Sequence, residues 1–256
     1  MPDQKPVMSL ADWHERYLQQ SQWTESIRHH LFEKANLKPV DRILEIGSGT
    51  GAILSQVTTE NQCPSFGIDI DHESLRFSRK KNQGLTLAQA DAHHLPFEDN
   101  SFSIAYCHYL LVWVEAPLAV LREMFRIIRP GGSVIALAES DYAARIDFPP
   151  PLDHLGKLQT QALETQGADI QMGRKLGNCF TQAGLSEVEV GILGAHWHAE
   201  PDGVVDETEW KTLYSDLDNV LTQTELVKYK KLDLQARERS KRILFIPTFY
   251  AMGTVK

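Results

Sequence analysis

The largely apolar run Arg42-Ile43-Leu44-Glu45-Ile46 gives way abruptly to Gly47-Ser48-Gly49-Thr50-Gly51, and Ala52-Ile53-Leu54 then resumes with helical spacing. A strand that ends in such a turn and feeds straight into a helix constrains this chain more than any other stretch. Glycines there tolerate positive φ and carry no Cβ, so the backbone can approach a ligand closely. The helix start that follows offers unpaired N–H groups and the positive end of a dipole. The segment is built to hold a nucleotide-like ligand.

The sequence around this turn predicts an α/β fold. From Asp41 onward strand and helix signals alternate, as in a doubly wound, mostly parallel sheet covered on both faces. Strands are expected at 42–46, 66–70, 86–89, 102–107, 133–138 and 188–193, with an apolar final strand at 244–255. Helices are expected from the glycines to Thr59 and at 72–82, 116–128 and 173–183. Upstream, residues 1–8 read as a loose tail, Ser9 opens a helix through a capping box with Asp12, and Thr24 caps a second helix. The rhythm breaks at 143–172, where Phe148-Pro149-Pro150-Pro151 reads as a stiff connector before a helix near 155–166, and again at 195–243. The expectation is one domain over 1–256, with an N-terminal helical cap at 1–38 and two substrate-side insertions forming a lid.

Charge and cysteine usage narrow the partners. The formal net charge is −8, which argues against nucleic acid, because phosphate binding needs a basic face. The basic run at 237–242 reads as a solvated helix face. Cys63, Cys107 and Cys179 form no framework, so a reducing compartment fits. The first residues lack an apolar signal core and no long apolar run exists, so a cytoplasmic protein with no membrane partner is expected.

The glycine turn admits two ligands. Gly47-x-Gly49-x-x-Ala52, with Asp69 following 22 positions after Gly47, satisfies the dinucleotide fingerprint. An NAD-dependent oxidoreductase is therefore one reading. S-adenosylmethionine is the other, since a carboxylate at Asp69 can accept from ribose hydroxyls in either ligand. A cofactor-binding module without catalysis is a third.

Five ordered segments decide between them. Leu44-Glu45-Ile46-Gly47-Ser48-Gly49-Thr50-Gly51, Gly67-Ile68-Asp69-Ile70-Asp71, Ala90-Asp91-Ala92-His93-His94-Leu95-Pro96-Phe97, Asn100-Ser101-Phe102-Ser103-Ile104 and Arg129-Pro130-Gly131-Gly132 stand in sequence. Together they resemble the class I S-adenosylmethionine-dependent methyltransferases, in the group of small-molecule C- and O-methyltransferases. The resemblance implies a Rossmann-like seven-stranded sheet whose last strand, around 249–253, is reversed. It implies that Gly47, Ser48 and Gly49 wrap the methionine moiety with Glu45 beneath them. It also implies that Asp69 holds the ribose, Ile70 packs on the adenine, and Asp91 and Ala92 bond the adenine edge. His108, after the fourth strand, is implied to contact the cofactor.

Methyl transfer from a sulfonium is a one-step displacement that rests on alignment and exclusion of water. A base is needed only when the nucleophile must lose a proton. His108, at the carboxyl end of the 102–107 strand, is the candidate base, followed by His196 and Tyr142. Trp23 or Tyr17 can face the sulfonium, and Arg28 can pair with the methionine carboxylate. Tyr142, His196, Trp197, Phe148, the three prolines and Trp210 are expected to build an aromatic acceptor pocket. The histidine pairs lack strong ligand spacing, so no metal is expected.

Overall fold

The computed structural model describes residues 8–193 and 207–256. Nine strands run through them: β1 (Ile43–Ile46), β2 (Ser65–Asp69), β3 (Thr86–Gln89), β4 (Phe102–Cys107), β5 (Ile128–Ser140), β6 (Ile146–Phe148), β7 (Ser186–Ile192), β8 (Ile243–Phe245) and β9 (Thr248–Thr254). Seven form one sheet in the order β3-β2-β1-β4-β5-β9-β7. β1 to β5 pair in parallel, and β9 runs antiparallel to both β5 and β7. The expected α/β class, seven-stranded sheet and reversed last strand are all present.

Nine helices are described: α1 (Leu10–Trp23), α2 (Glu25–Lys34), α3 (Ala52–Asn61), α4 (His72–Lys81), α5 (Pro117–Ile127), α6 (Pro150–Thr165), α7 (Met172–Gln182), α8 (Glu207–Asp216) and α9 (Gln223–Glu238). β1 and β4 are buried along their whole length, as strands covered on both faces must be. On one face Leu44, Phe102 and Ala105 pack with Val120, Met124, Leu176 and Phe180 of α5 and α7. On the other, Ile43, Ile104 and Tyr106 meet Leu31, Phe32 and Val57 of α2 and α3. Each such side chain taken fully from water contributes about 1.5–3 kcal/mol. A third cluster, with Leu152, Leu155, Trp210, Leu213 and Leu226, joins α6, α8 and α9 away from the sheet.

Three local expectations need correction. Phe148-Pro149-Pro150-Pro151 is not a connector: Phe148 ends β6, which pairs antiparallel with β8, and Pro150 and Pro151 open α6. Proline suits that first turn, where its missing N–H would have no partner. The final strand is not continuous but divides into β8 and β9 around Ile246-Pro247. Thr24 takes the N-cap position of α2, as expected, but without a side-chain capping bond: its hydroxyl turns back to the Gln20 and Ser21 carbonyls and meets His108 Nε2 at 3.2 Å. The capping box of Ser9 and Asp12 is formed at α1. The 1–8 tail lies outside the described residues except for its last residue, Met8.

Candidate active site

The carboxyl ends of β1, β2, β4 and β5 open into one cavity of about 820 Å³. Ligand sites of open α/β sheets lie at this end of the strands. The glycine turn forms one end of its floor. Gly47 and Gly49 stand at φ +74° and +48°, a region that other residues enter at a cost. A Cβ on Gly67, under the turn, would meet Leu54 at 2.6 Å and the Ser48 hydroxyl at 2.8 Å.

Asp69, the last residue of β2, pins this turn. Its Oδ2 accepts from the Gly49 N–H at 2.7 Å and its Oδ1 from the Asp71 N–H at 2.8 Å. Each oxygen keeps a second lone pair for a ligand. Ser48 Oγ is buried with no hydrogen-bond partner. A buried hydroxyl normally finds one, and Ser48 lines the cavity, so its bareness fits a polar ligand across the turn. Glu45 lies beneath, accepting from the Tyr106 hydroxyl at 3.2 Å, and burial raises its carboxyl well above the ordinary range. It braces the turn from within the sheet.

The roof is one face of α1. Trp13, Arg16, Tyr17, Gln20 and Trp23 recur at the three- and four-residue spacing of a helix face, and all line the cavity. His14 clamps the helix to the turn, its Nδ1 2.9 Å from Thr50 Oγ1. Tyr17 stands over Gly49, and burial, with the Asp69 charge, pushes its phenol up to about 12. The Arg16 guanidinium sits 4.8 Å from the centre of the Trp23 ring.

His108 lines the cavity just after β4. Burial, aided by the Arg28 charge, lowers its imidazole to about 3, so it is neutral near pH 7. The next turn is held from below: Glu139 accepts from the N–H groups of Leu110, Leu111 and Val112 at 3.0, 2.8 and 2.9 Å. The far wall is Tyr142, Arg145, Gln159, Asp216 and Phe245. Arg145 bonds Asp147 and the Gln159 amide oxygen, and the Gln159 amide nitrogen donates to Asp216 at 2.7 Å. Burial raises Asp216 above an ordinary aspartate.

The structure thus brings Glu45, Gly47, Ser48, Gly49, Asp69, His108, Tyr142 and Trp23 to one cavity. It leaves others off this wall. Ile70 is exposed, Asp91 accepts from the backbone and ring of His93, and Ala92 packs on the core. Arg28 does not face the cavity. It is buried, paired with Glu60 at 2.8 Å and bonded to the Ser21 carbonyl and Gln56, so four of its five N–H groups are engaged within the protein, away from the cavity. Arg28→Met should cost about 2 kcal/mol, softened because Glu60 can rehydrate, and leave cofactor affinity unchanged in a titration. Trp210 is not a pocket residue; its indole is buried among α6, α8 and α9 and donates to Asp233. Phe148 points outward. His196 and Trp197 lie outside the described residues.

Sequence reading missed Arg16, Glu139, Gln159 and Asp216. The α1 stripe was available as periodicity, but its mixture of Trp, Arg, Tyr and Gln gives no apolar signal. Gln159 and Asp216 meet only because α6 and α8 pack together. The one cluster of metal-type donors among the described residues, Glu25, His29 and Glu60, is exposed, and Glu60 is engaged by Arg28.

Residues 44–136 match the family described as "Methyltransferase domain". The demethylmenaquinone methyltransferase of Bacillus cereus is 28% identical over 207 residues, spanning 68% of this chain and 86% of that protein. A putative methyltransferase from Haloferax volcanii, solved with the Trm112 methyltransferase activator, superposes with a TM-score of 0.62 at 18% identity, covering 96% of this chain and 95% of that one. Geranyl diphosphate methyltransferase in complex with S-adenosylmethionine superposes with a TM-score of 0.55 at 13% identity, covering 86% and 80%. Likeness at such identities speaks to the fold.

Proposed function

This chain belongs to the class I S-adenosylmethionine-dependent methyltransferases, and from that premise we propose that it methylates a small organic acceptor held beyond the glycine turn, between His108, Tyr142 and Asp216. One observation carries the reading. The cavity runs on from the turn, past the ends of β4 and β5, to a wall of mixed apolar and polar side chains. At about 820 Å³ it stands near the top of the usual range for ligand pockets, ~300–1,000 Å³, with room for a donor and an acceptor together.

Bound there, S-adenosylmethionine supplies a methyl group on a positively charged sulfur. In this reading Gly47, Ser48 and Gly49 take the methionine half, Asp69 accepts from the ribose hydroxyls, and Tyr17 and Trp23 provide aromatic cover for the cation. The adenine lies over the ends of β2 and β3, with Ile70 on its face and Asp91 and Ala92 at its edge. The described parts of the cap and insertions that line the cavity, on α1, α6, α8 and β8, cover this site and exclude water from it. The acidic balance of the chain supports a small molecule over nucleic acid as acceptor.

Proton removal falls to Asp216 rather than His108. An imidazole lowered to about 3 is a poor base near neutrality, whereas burial makes Asp216 hold a proton more readily than an ordinary aspartate. Gln159 fixes one of its oxygens and leaves the other for the acceptor. Turnover across a panel of small phenols, enols and amines, followed with a labelled methyl group, tests this. Asp216→Asn should lower kcat by roughly 10²- to 10⁴-fold and remove the acidic limb of the rate–pH profile, with S-adenosylhomocysteine affinity intact. A variant that keeps its rate sinks the role of Asp216. No turnover on any acceptor, despite tight cofactor binding, would favour a binding module, and NAD displacing the cofactor would favour the oxidoreductase.

A further inference from the structure

The outer face of the helical cover carries a surface that methyl transfer does not use. Between residues 223 and 243 the chain holds seven Lys and Arg against three Asp and Glu, although its net charge is −8. Three of these cations are paired: Lys230 with Glu207, Arg237 with Asp233 and Glu209, and Arg242 with Asp147 and Asp233. The basic run expected to be a solvated helix face is therefore partly turned inward. Lys228, Lys231, Arg239 and Lys241 are exposed and make no ion pair with any described residue.

Apolar side chains stand among them. Val227 (53% exposed) and Leu232 (38%) share the outer side of α9 with Lys228 and Lys231, at helical spacing. Lys241 lies two residues before Ile243, where β8 begins. Ile243 pairs directly across from Phe148, and Ile146 is two residues from Phe148, so the three side chains occupy one face of the β6–β8 ribbon. That face is open to water, with Phe148 at 46% and Ile146 at 52% exposed. Leu244, Phe245 and Ile246, in and just after β8, line the acceptor end of the cavity. Phe245, paired across from Ile146, shares the face of Ile146, Phe148 and Ile243, so the exposed apolar face of the ribbon adjoins the acceptor end of the cavity.

We propose that the outer face of α9 and the β6–β8 ribbon docks on an anionic lipid bilayer. Exposed cations beside exposed apolar side chains match what such an interface offers: negative headgroups and an acyl boundary a few ångströms deeper. A nucleic acid would use the cations and leave Ile146, Phe148 and Ile243 in water. The rest of the molecule is acidic, so attraction to the bilayer orients it with this face down. Docked in this way, the cavity wall at Leu244–Ile246 abuts the acyl boundary. No helix among the described residues is long and apolar enough to cross a membrane, which bears on spanning and not on this mode. The proposal goes beyond the acceptor reading and stands without it.

The test is co-sedimentation of the full chain with vesicles of phosphatidylcholine alone and of phosphatidylcholine and phosphatidylglycerol in equal parts. The protein should pellet with the anionic vesicles at low salt and be released as salt is raised. Lys228→Gln with Lys231→Gln should weaken partitioning about 25-fold, from about fivefold per cation near a charged surface. Phe148→Ser with Ile243→Ser should remove the binding that survives raised salt. Thermal shift by S-adenosylhomocysteine reports that each variant is folded, and it scores cofactor binding separately from docking. Wild-type protein left in the supernatant at low salt overturns the proposal. So does a folded double variant that binds like wild type, or equal affinity for polyglutamate with no effect of the apolar substitutions.

Discussion

Asp69→Ala is expected to abolish the thermal stabilisation that S-adenosylhomocysteine gives the wild-type protein. The carboxylate does two things at one place. Towards the protein it accepts the Gly49 N–H at 2.7 Å and the Asp71 N–H at 2.8 Å, so it sets the shape of the glycine turn. Towards the cavity its remaining lone pairs are the acceptors proposed for the ribose hydroxyls. Hydrogen bonds to a charged group contribute about 1.5–3 kcal/mol each, and two lost together weaken binding by at least about 100-fold. A ligand at about 100 times its Kd stabilises by about 3 kcal/mol, which moves Tm by roughly 5–10 °C in a protein of this size. That shift should vanish in the variant at the same ligand concentration. Asp69→Asn should retain part of it, because the amide keeps one acceptor for the Gly49 N–H. An alanine variant that shifts as far as wild type would show that the turn binds its ligand without this carboxylate.

The same residue shows what a sequence discloses. Asp69 is legible because its role is local: a carboxylate at the end of a strand, a fixed distance after a glycine turn, follows from the parallel pairing of β1 with β2. The seven-stranded sheet is legible for a similar reason, since strands buried on both faces announce themselves as apolar runs. Contacts made by packing between distant elements are not. Arg28 reads as a free cation near the start of a helix, and only the approach of α3 gives it Glu60 and Gln56. Trp210 reads as a pocket aromatic, yet its helix packs on α6 and α9 and takes the indole inward. Asp216 stands in a polar stretch with nothing to mark it, and it acquires its chemistry from Gln159 on another helix.

Glu139 is the strongest instance of a residue made important by distant partners, and it carries the other large effect. In sequence it is an acid closing an apolar strand. In the fold it is fully buried and receives three successive backbone N–H groups from 110–112, whose side chains Leu110 and Val112 line the cavity. Glu139→Ala leaves those three donors without an acceptor, at about 1–3 kcal/mol for each that water cannot reach. A loss of about 4 kcal/mol is expected, or roughly 10 °C in Tm, together with a looser cavity wall. The effect depends on pH in a definite sense. Burial pushes this carboxyl up from 4.5 to about 7, against the pull of the three N–H groups. A carboxyl raised in the folded state contributes stability that is complete below pH 4.5 and lost as pH rises through about 7, amounting to about 3 kcal/mol. Glu139→Gln cannot titrate. Denaturant melts of wild type and Glu139→Gln across that window should therefore converge, with wild type giving up its advantage as pH rises. Parallel curves would mean that Glu139 keeps one protonation state throughout, and an alanine variant within about 0.5 kcal/mol of wild type would mean that water satisfies the 110–112 turn without it.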